Sequence, residues 1–168
     1  GFDPIVGASH IIVALQTIVS RNVNPLKSAI VTVAKIEGGS TWNVIPDTAV
    51  IEGTVRTFDS EVREQVKQRF LSVAEQISSA FSLKANVKWI SGPPPLCNDT
   101  AITEIVKAAA HKAQLQVISP DQSTAGEDFA YYLEHIPGSF AFFGTGGDHD
   151  WHHPAFTIDE TAIIKASY

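Results

Sequence analysis

The sequence predicts an α+β front half joined to a back half in which helix and strand alternate. Three observations predict it. Apolar residues recur every three to four positions in segments 4–21 and 60–81, the period of a helix with one buried face. Segments 29–36 and 49–57 between them are rich in β-branched residues and read as strands. After the stiff break Gly92-Pro93-Pro94-Pro95, the best domain boundary, helical and apolar strand-like segments take turns, as parallel α/β units do.

Asp3-Pro4 opens the first helix with a capping carboxylate and a proline at the first helical position. Ile5, Ala8, Ile12, Leu15 and Val19 mark its apolar face, and Asn24-Pro25 ends it after about Arg21. Ala29–Ile36 is the first strand, interrupted by Glu37-Gly38-Gly39-Ser40. Ala49–Thr57 alternates, with Ile51 and Val55 on one face and Glu52, Thr54 and Arg56 on the other, so one side is wet. Asp59 caps the next helix, whose buried face is Val62, Val66, Phe70, Val73, Ile77 and Phe81. Ala85–Ile90 reads as a third strand.

The resulting α-β-β-α-β order is a split βαβ unit, βαββαβ, without its first strand. That strand is central in the topology. Its loss would leave unpaired backbone on both neighbours, so it is expected from sequence preceding Gly1.

In the back half, Asn98 or Asp99 caps a helix carrying Ile102, Ile105, Val106 and Ala109. Gln116–Ile118 reads as a short strand, Ser123–Gly126 as a turn, and Glu127 opens a helix to about His135. Ser139–Phe143 is a strongly apolar strand, and a last helix starts at Asp159. The chain stops at Tyr168 within that helical pattern, begins at Gly1 and has no methionine, which together suggest a piece of a longer protein.

Composition narrows the partners. The net charge is −6 and no Lys/Arg stripe forms, which argues against nucleic acid and against an anionic membrane. No apolar run approaches the ~20 residues of a membrane span, and no secretory signal is visible. The single cysteine, Cys97, permits no internal disulfide and fits a reducing cytoplasm.

Chemistry concentrates in Gly144–Phe156, which holds His149, His152 and His153 beside Asp148 and Asp150. Glycines before it and Pro154 within it make it a loop. Its imidazoles can ligate zinc, manganese or a similar ion, or stand on a polar surface without a role. A catalytic zinc takes about three protein ligands, and no second cluster of comparable quality is present. Glu127-Asp128 complements a helix dipole, or the Gly126 turn aims Glu127 into a site. His10, His111 and His135 have plain helix-surface explanations, and Cys97 is a small apolar filler. Gly38-Gly39 precedes no helix and lacks a lysine, so it is no phosphate loop.

Six segments, in order, resemble one family: Phe2-Asp3-Pro4-Ile5, Lys35-Ile36-Glu37-Gly38-Gly39, Asn43-Val44-Ile45-Pro46-Asp47, Gly53-Thr54-Val55-Arg56-Thr57-Phe58, Gly126-Glu127-Asp128-Phe129-Ala130-Tyr131-Tyr132, and His152-His153-Pro154 with Phe156. The chain resembles the M20 metallopeptidase family, specifically its amidohydrolase branch of N-acyl-amino-acid amidohydrolases (aminoacylases), hippurate hydrolases and plant auxin-conjugate hydrolases. The resemblance implies a ferredoxin-like βαββαβ lid, first strand missing, over residues 1–90. Residues 91–168 would be the C-terminal part of an α/β catalytic domain. It further implies homodimerisation through the lid and two divalent ions, manganese, zinc or similar, in the intact protein. The reaction implied is hydrolysis of the amide of an N-acyl amino acid or small peptide by metal-activated water.

By motif position, His152 matches the last metal-binding histidine. Asn43 matches a lid residue in contact with substrate, Glu127 a carboxylate near the site, and Arg56 a candidate for the substrate carboxylate or for a structural ion pair. His149 and His153 become neighbours of the site or simply exposed residues. The family's Cys-x-His pair, its paired glutamates including the general base, and another metal histidine lie upstream in the family and are absent here. Cys97 does not replace the missing cysteine. The resemblance therefore implies no catalytic base in this chain, no stably bound metal and no activity alone. The alternatives are a non-catalytic dimerisation or binding module, and a dipeptidase or carboxypeptidase of the same superfamily.

Overall fold

The computed structural model describes residues 1–167; Tyr168 lies outside the described residues. The fold is mixed helix and sheet in two compact units. The first is Gly1–Pro95 with Thr124–Gly126, and the second is Leu96–Ser123 with Glu127 onward.

In the first unit, helix α1 spans Pro4–Thr17. The Asp3 carboxylate accepts from the Ile5 and Val6 amides at 2.9 and 3.3 Å, and Pro4 needs no partner for a missing N–H. The helix widens into a π-helical turn over Ile18–Asn22, closed by Val23 N donating to Ile18 O at 3.2 Å. Side chains of the next helix hold its end: Gln65 Nε2 donates to the Asn22 backbone carbonyl at 2.8 Å and Arg69 Nε to the Asn22 side-chain Oδ1 at 3.2 Å. The stretch Pro4–Asn22 is long and apolar enough to cross a bilayer, which corrects the expectation that no run approaches that length. Its Leu15 and Ile18 are fully buried in the core of this unit, while Ile5, Val6 and Val13 of the same stretch are exposed.

Strands β1 (Ala29–Gly38) and β2 (Ala49–Thr57) form an antiparallel pair, Val31 opposite Val55. A bulge at Ala34 separates the pairs Val33–Gly53 and Lys35–Glu52. A Cβ on Gly53 would collide with the Thr32 carbonyl, so glycine is what allows this close approach. On the wet face Lys35 Nζ reaches Glu52 at 2.7 Å and Glu37 at 3.0 Å. Helix α2 (Ser60–Ala80) is capped by Asp59, which accepts from the Glu61 and Val62 amides. Val62 and Val66 join Leu15, Ile18, Val23 and Val31 as the core. Each side chain so buried is worth roughly 1.5–3 kcal/mol before entropy is charged against it. Arg63 then folds the proline break back onto α2 by donating to the Gly92 and Pro93 carbonyls.

Ala85–Ile90 is not a strand, contrary to the sequence reading. From Leu83 to Ile90 half-buried and exposed residues alternate one by one, the period of a pleated strand, and Trp89 meets Phe70 of α2 edge-on at 5.6 Å. What it lacks is a ladder partner: the β1–β2 pair is the one sheet among the described residues.

The second unit holds α3 (Thr100–Lys112), α4 (Phe129–Leu133) and α5 (Thr161–Ala166). Asp99 caps α3 by accepting from Ile102 N at 2.9 Å. The helix expected from Glu127 to His135 is shorter, because the His135 and Ile136 amides both turn back to Tyr132 O and end it. Gln116–Ile118 and Ser139–Phe143 are not strands either, for the same lack of a paired neighbour.

Helices α2 and α3 both end on a left-handed residue that is not glycine: Ser82 (φ 56°) and Gln114 (φ 57°). In each the next amide reaches back across the cap, Leu83 N to Ser78 O at 2.8 Å and Leu115 N to Ala110 O at 2.9 Å. Ser82→Gly and Gln114→Gly should therefore each stabilise the fold by about 1 kcal/mol in urea unfolding.

Asp59 and Lys27 lie 2.8 Å apart. The Lys27 ammonium first, and the Val62 and Glu61 amides after it, hold the Asp59 carboxyl below its ordinary pKa. Its contribution is therefore whole above the ordinary aspartate pKa and is lost as pH falls through the lowered folded value. Lys27→Ala should flatten the acid limb of a stability–pH curve below about pH 4, leaving the share due to the two amides.

Candidate functional site

Thr145 to Asp159 forms a compact loop of the Ω kind, closed at its neck by Asp159 N donating to Thr145 O at 2.7 Å. Gly146 and Gly147 enter it with φ of +69° and +93°. A Cβ on Gly147 would stand 2.6 Å from the Thr157 carbonyl oxygen, so both the backbone and the space at that point require glycine. On the other side of the neck, Asp159 Oδ1 accepts from the Thr161 hydroxyl at 2.7 Å and its amide at 2.9 Å. Those two bonds, the hydroxyl first, hold the Asp159 carboxyl below its ordinary pKa.

His152 and His153 sit on two consecutive turns that share His153. Its amide donates to Asp150 O at 3.1 Å, closing the first turn; its carbonyl accepts from Phe156 N at 2.9 Å, closing the second. His152 is the third residue of the first turn and has φ +66°, a sign that turns usually reserve there for glycine or asparagine. Left-handed backbone at a residue with a Cβ costs roughly 1–2 kcal/mol. Unlike Ser82 and Gln114, His152 ends no helix, so capping does not account for it.

The loop is tied to its unit through aromatic rings. Phe129 of α4 lies 5.9 Å from Phe140, Phe140 is edge-on to Phe142 at 5.3 Å, and Phe142 is edge-on to Trp151 at 5.4 Å. Such pairs are worth about 0.5–1.5 kcal/mol each beyond the area they bury. The Asn98 side chain holds Phe140 in place as a strand would: its Oδ1 accepts from Phe140 N and its Nδ2 donates to Phe140 O, both at 2.8 Å. Sequence reasoning offers Asn98 only as an alternative helix cap, a place that Asp99 takes, and assigns no role in the site to Phe140, Phe142 or Trp151. The spacing of Phe140 and Phe142, which puts both on one side of an extended chain, was the available signal.

The loop's three histidines are not equivalent. His149 and His153 stack face to face, centroids 4.2 Å apart and planes 12° from parallel. Ring nitrogens donate lone pairs in the ring plane, so no ion between the two faces can take both. His153 Nδ1 already accepts from Ala155 N at 3.1 Å. Neither ring nitrogen of His152 is hydrogen-bonded among the described residues, and its side chain is exposed. Among the described residues, no three His, Cys, Asp or Glu side chains converge to hold a metal. Of these donors, the exposed His152 imidazole has the chemistry to ligate a divalent ion, and a three-ligand set is not assembled among the described residues.

The remaining residues singled out in the sequence fall in both units. Asn43 is exposed, its Oδ1 accepting from the Thr41 hydroxyl at 3.2 Å, next to an exposed Trp42. Arg56 lies on β2 opposite Ile30, and a Cβ at Gly126 would stand 3.8 Å from its Nη1, so the Thr124–Gly126 segment runs beside the guanidinium. Glu127 belongs to the second unit, is half-buried, and its carbonyl accepts from Ala130 N at 3.1 Å. Cys97 is exposed rather than the apolar filler expected.

Residues 6–167 match the family described as Peptidase family M20/M25/M40. The chain is 86% identical over its whole length to N-acetyl-L-cysteine deacetylase of Bacillus subtilis, covering 40% of that protein. It is 45% identical to N-acetylcysteine deacetylase of the same organism, covering 43% of it. Its fold matches the Bacillus subtilis YXEP protein, a dinuclear metal binding peptidase from the M20 family, with a TM-score of 0.83 and 42% identity over 99% of this chain and 44% of that one. The chain therefore spans about two fifths of the length of the relatives it matches.

Gly147→Ala should open the neck of the loop. Hydrogen exchange at the Asp159 amide should accelerate at least about fivefold, the equivalent of about 1 kcal/mol. Amides of α2 should exchange as before.

Proposed function

Because the chain belongs to peptidase family M20/M25/M40, we propose that it is part of a metal-dependent amidohydrolase that removes the acyl group from N-acylated amino acids, N-acetyl-L-cysteine first among them. The observation that carries this reading is the 86% identity, across all 168 residues, to an N-acetyl-L-cysteine deacetylase. Residues 1–90 are assigned to a ferredoxin-like lid that also pairs two subunits, and residues 91–168 to the C-terminal part of the catalytic domain. The alternating segment Leu83–Ile90, unpaired among the described residues, supports a lid whose central strand comes from elsewhere in the protein.

In this reading His152 gives a ring nitrogen to one of two divalent ions, manganese, zinc or similar, whose other ligands and general base come from outside this chain. Such ions, when bound, supply activation of water and polarisation of the amide carbonyl. The chain's own residues bind and orient. The Arg56 guanidinium suits the carboxylate of an N-acyl amino acid, which it can grip through two parallel N–H donors. The Asn43 amide offers donor and acceptor for the acyl amide, and Glu127 places a carboxylate at the head of α4.

The test uses the full-length protein and follows acetate release from N-acetyl-L-cysteine with metal content measured in parallel. His152→Ala should lower kcat/KM at least about 100-fold and reduce bound metal. Arg56→Ala should raise KM more than it lowers kcat. Full activity and full metal content with His152 replaced would overturn the assignment.

A further inference from the structure

We propose that His153 is the positioning residue of His152: by accepting the Ala155 amide on Nδ1, it fixes the double turn that holds His152 left-handed, and it is not itself a metal ligand. The inference rests on the reading of His152 given under Proposed function. It starts from the strain at that residue. A non-glycine residue at φ +66° persists only where its surroundings over-determine it.

The surroundings converge on His153. Its backbone closes the turn that contains His152 and opens the turn that follows, through Asp150 O at 3.1 Å and Phe156 N at 2.9 Å. Pro154 has no N–H to offer and its φ is fixed near the value wanted at the second position of a turn. The next donor along is Ala155 N, and His153 Nδ1 takes it at 3.1 Å. A side-chain acceptor bonding the amide two residues on is the arrangement by which Asn, Asp and Ser start turns. Here an imidazole does it, and stacking on His149 at 4.2 Å sets the plane of the ring. Rotation of His153 towards an ion would break the bond to Ala155 and release the restraint on its neighbour. While Nδ1 accepts the Ala155 amide, the neutral ring carries its proton on Nε2, so neither nitrogen has a lone pair for an ion, and positioning and ligation by this ring exclude each other.

The proposal separates three replacements. Asparagine retains a side-chain acceptor for the Ala155 amide. Phenylalanine retains a ring for His149 and loses the acceptor. Alanine loses both. In the full-length protein, zinc affinity is read by competition with a chelator, and exchange of the Ala155 amide is read on the metal-free form. His153→Asn should hold zinc within about threefold of wild type and keep Ala155 protected. His153→Phe and His153→Ala should each weaken zinc by about tenfold or more and expose Ala155. Unchanged affinity in the Phe and Ala variants would overturn the proposal. Affinity in His153→Asn as poor as in His153→Ala, with Ala155 still protected, would also overturn it and make His153 a ligand. His152→Ala is measured alongside: if it leaves zinc binding unchanged, the assignment of His152 fails and the proposal falls with it. Loss of zinc in His152→Ala with none in His153→Ala sinks the positioning role alone.

Discussion

The left-handed backbone at His152 is the constraint around which the Thr145–Asp159 loop is arranged. It is unfavourable by roughly 1–2 kcal/mol and gains nothing from a helix cap. Everything near it restricts the alternatives: a neck that admits only glycine at Gly147, two turns joined at His153, and a line of rings running back to α4. Phe142 and Trp151 are both substantially exposed, so their edge-on contact matters more for direction than for buried area. The result is an exposed imidazole presented on a loop whose backbone is fixed at several points.

The first unit is built on a different principle. Its core is a small set of aliphatic residues from α1, the π-helical turn, β1 and α2, and its polar ends are satisfied by long side chains reaching across. The π-helical turn illustrates how these levels connect. Ile18 of the widened turn is fully buried in the core, while Gln65 and Arg69 of α2 reach the Asn22 carbonyl and side chain at its end. The sheet, by contrast, has two strands among the described residues, although Leu83–Ile90 has the alternation of a further one. Periodicity and pairing have come apart there. A residue pattern dictates which faces are buried, but a ladder needs a second backbone at hydrogen-bonding distance.

That separation also explains what could be read in the sequence. The helices were legible because their information is local: Asp3, Asp59 and Asp99 each cap the helix that follows, and Val62 and Val66 lie at the core-facing spacing. The antiparallel pair was legible from β-branched runs, and its wet face from Glu52 and Arg56. Ala85–Ile90, Gln116–Ile118 and Ser139–Phe143 were misread as strands because strand composition says nothing about whether a partner is present. In the loop, glycine punctuation and the histidine cluster were visible, but His153 Nδ1 on the Ala155 amide and the Asn98–Phe140 bonds were not. One is a detail of ring orientation, and the other joins residues far apart in the chain.

The central claim is that this loop forms one wall of a metal site and contributes a single ligand to it. A crystal structure of the full-length protein with zinc bound, its ion located by anomalous scattering, tests that most directly. The expected result is a ring nitrogen of His152 about 2.1 Å from zinc, with His152 still left-handed and His153 still bonded to the Ala155 amide. Zinc bound without His152, or ligated by His149 or His153 in its place, would contradict it.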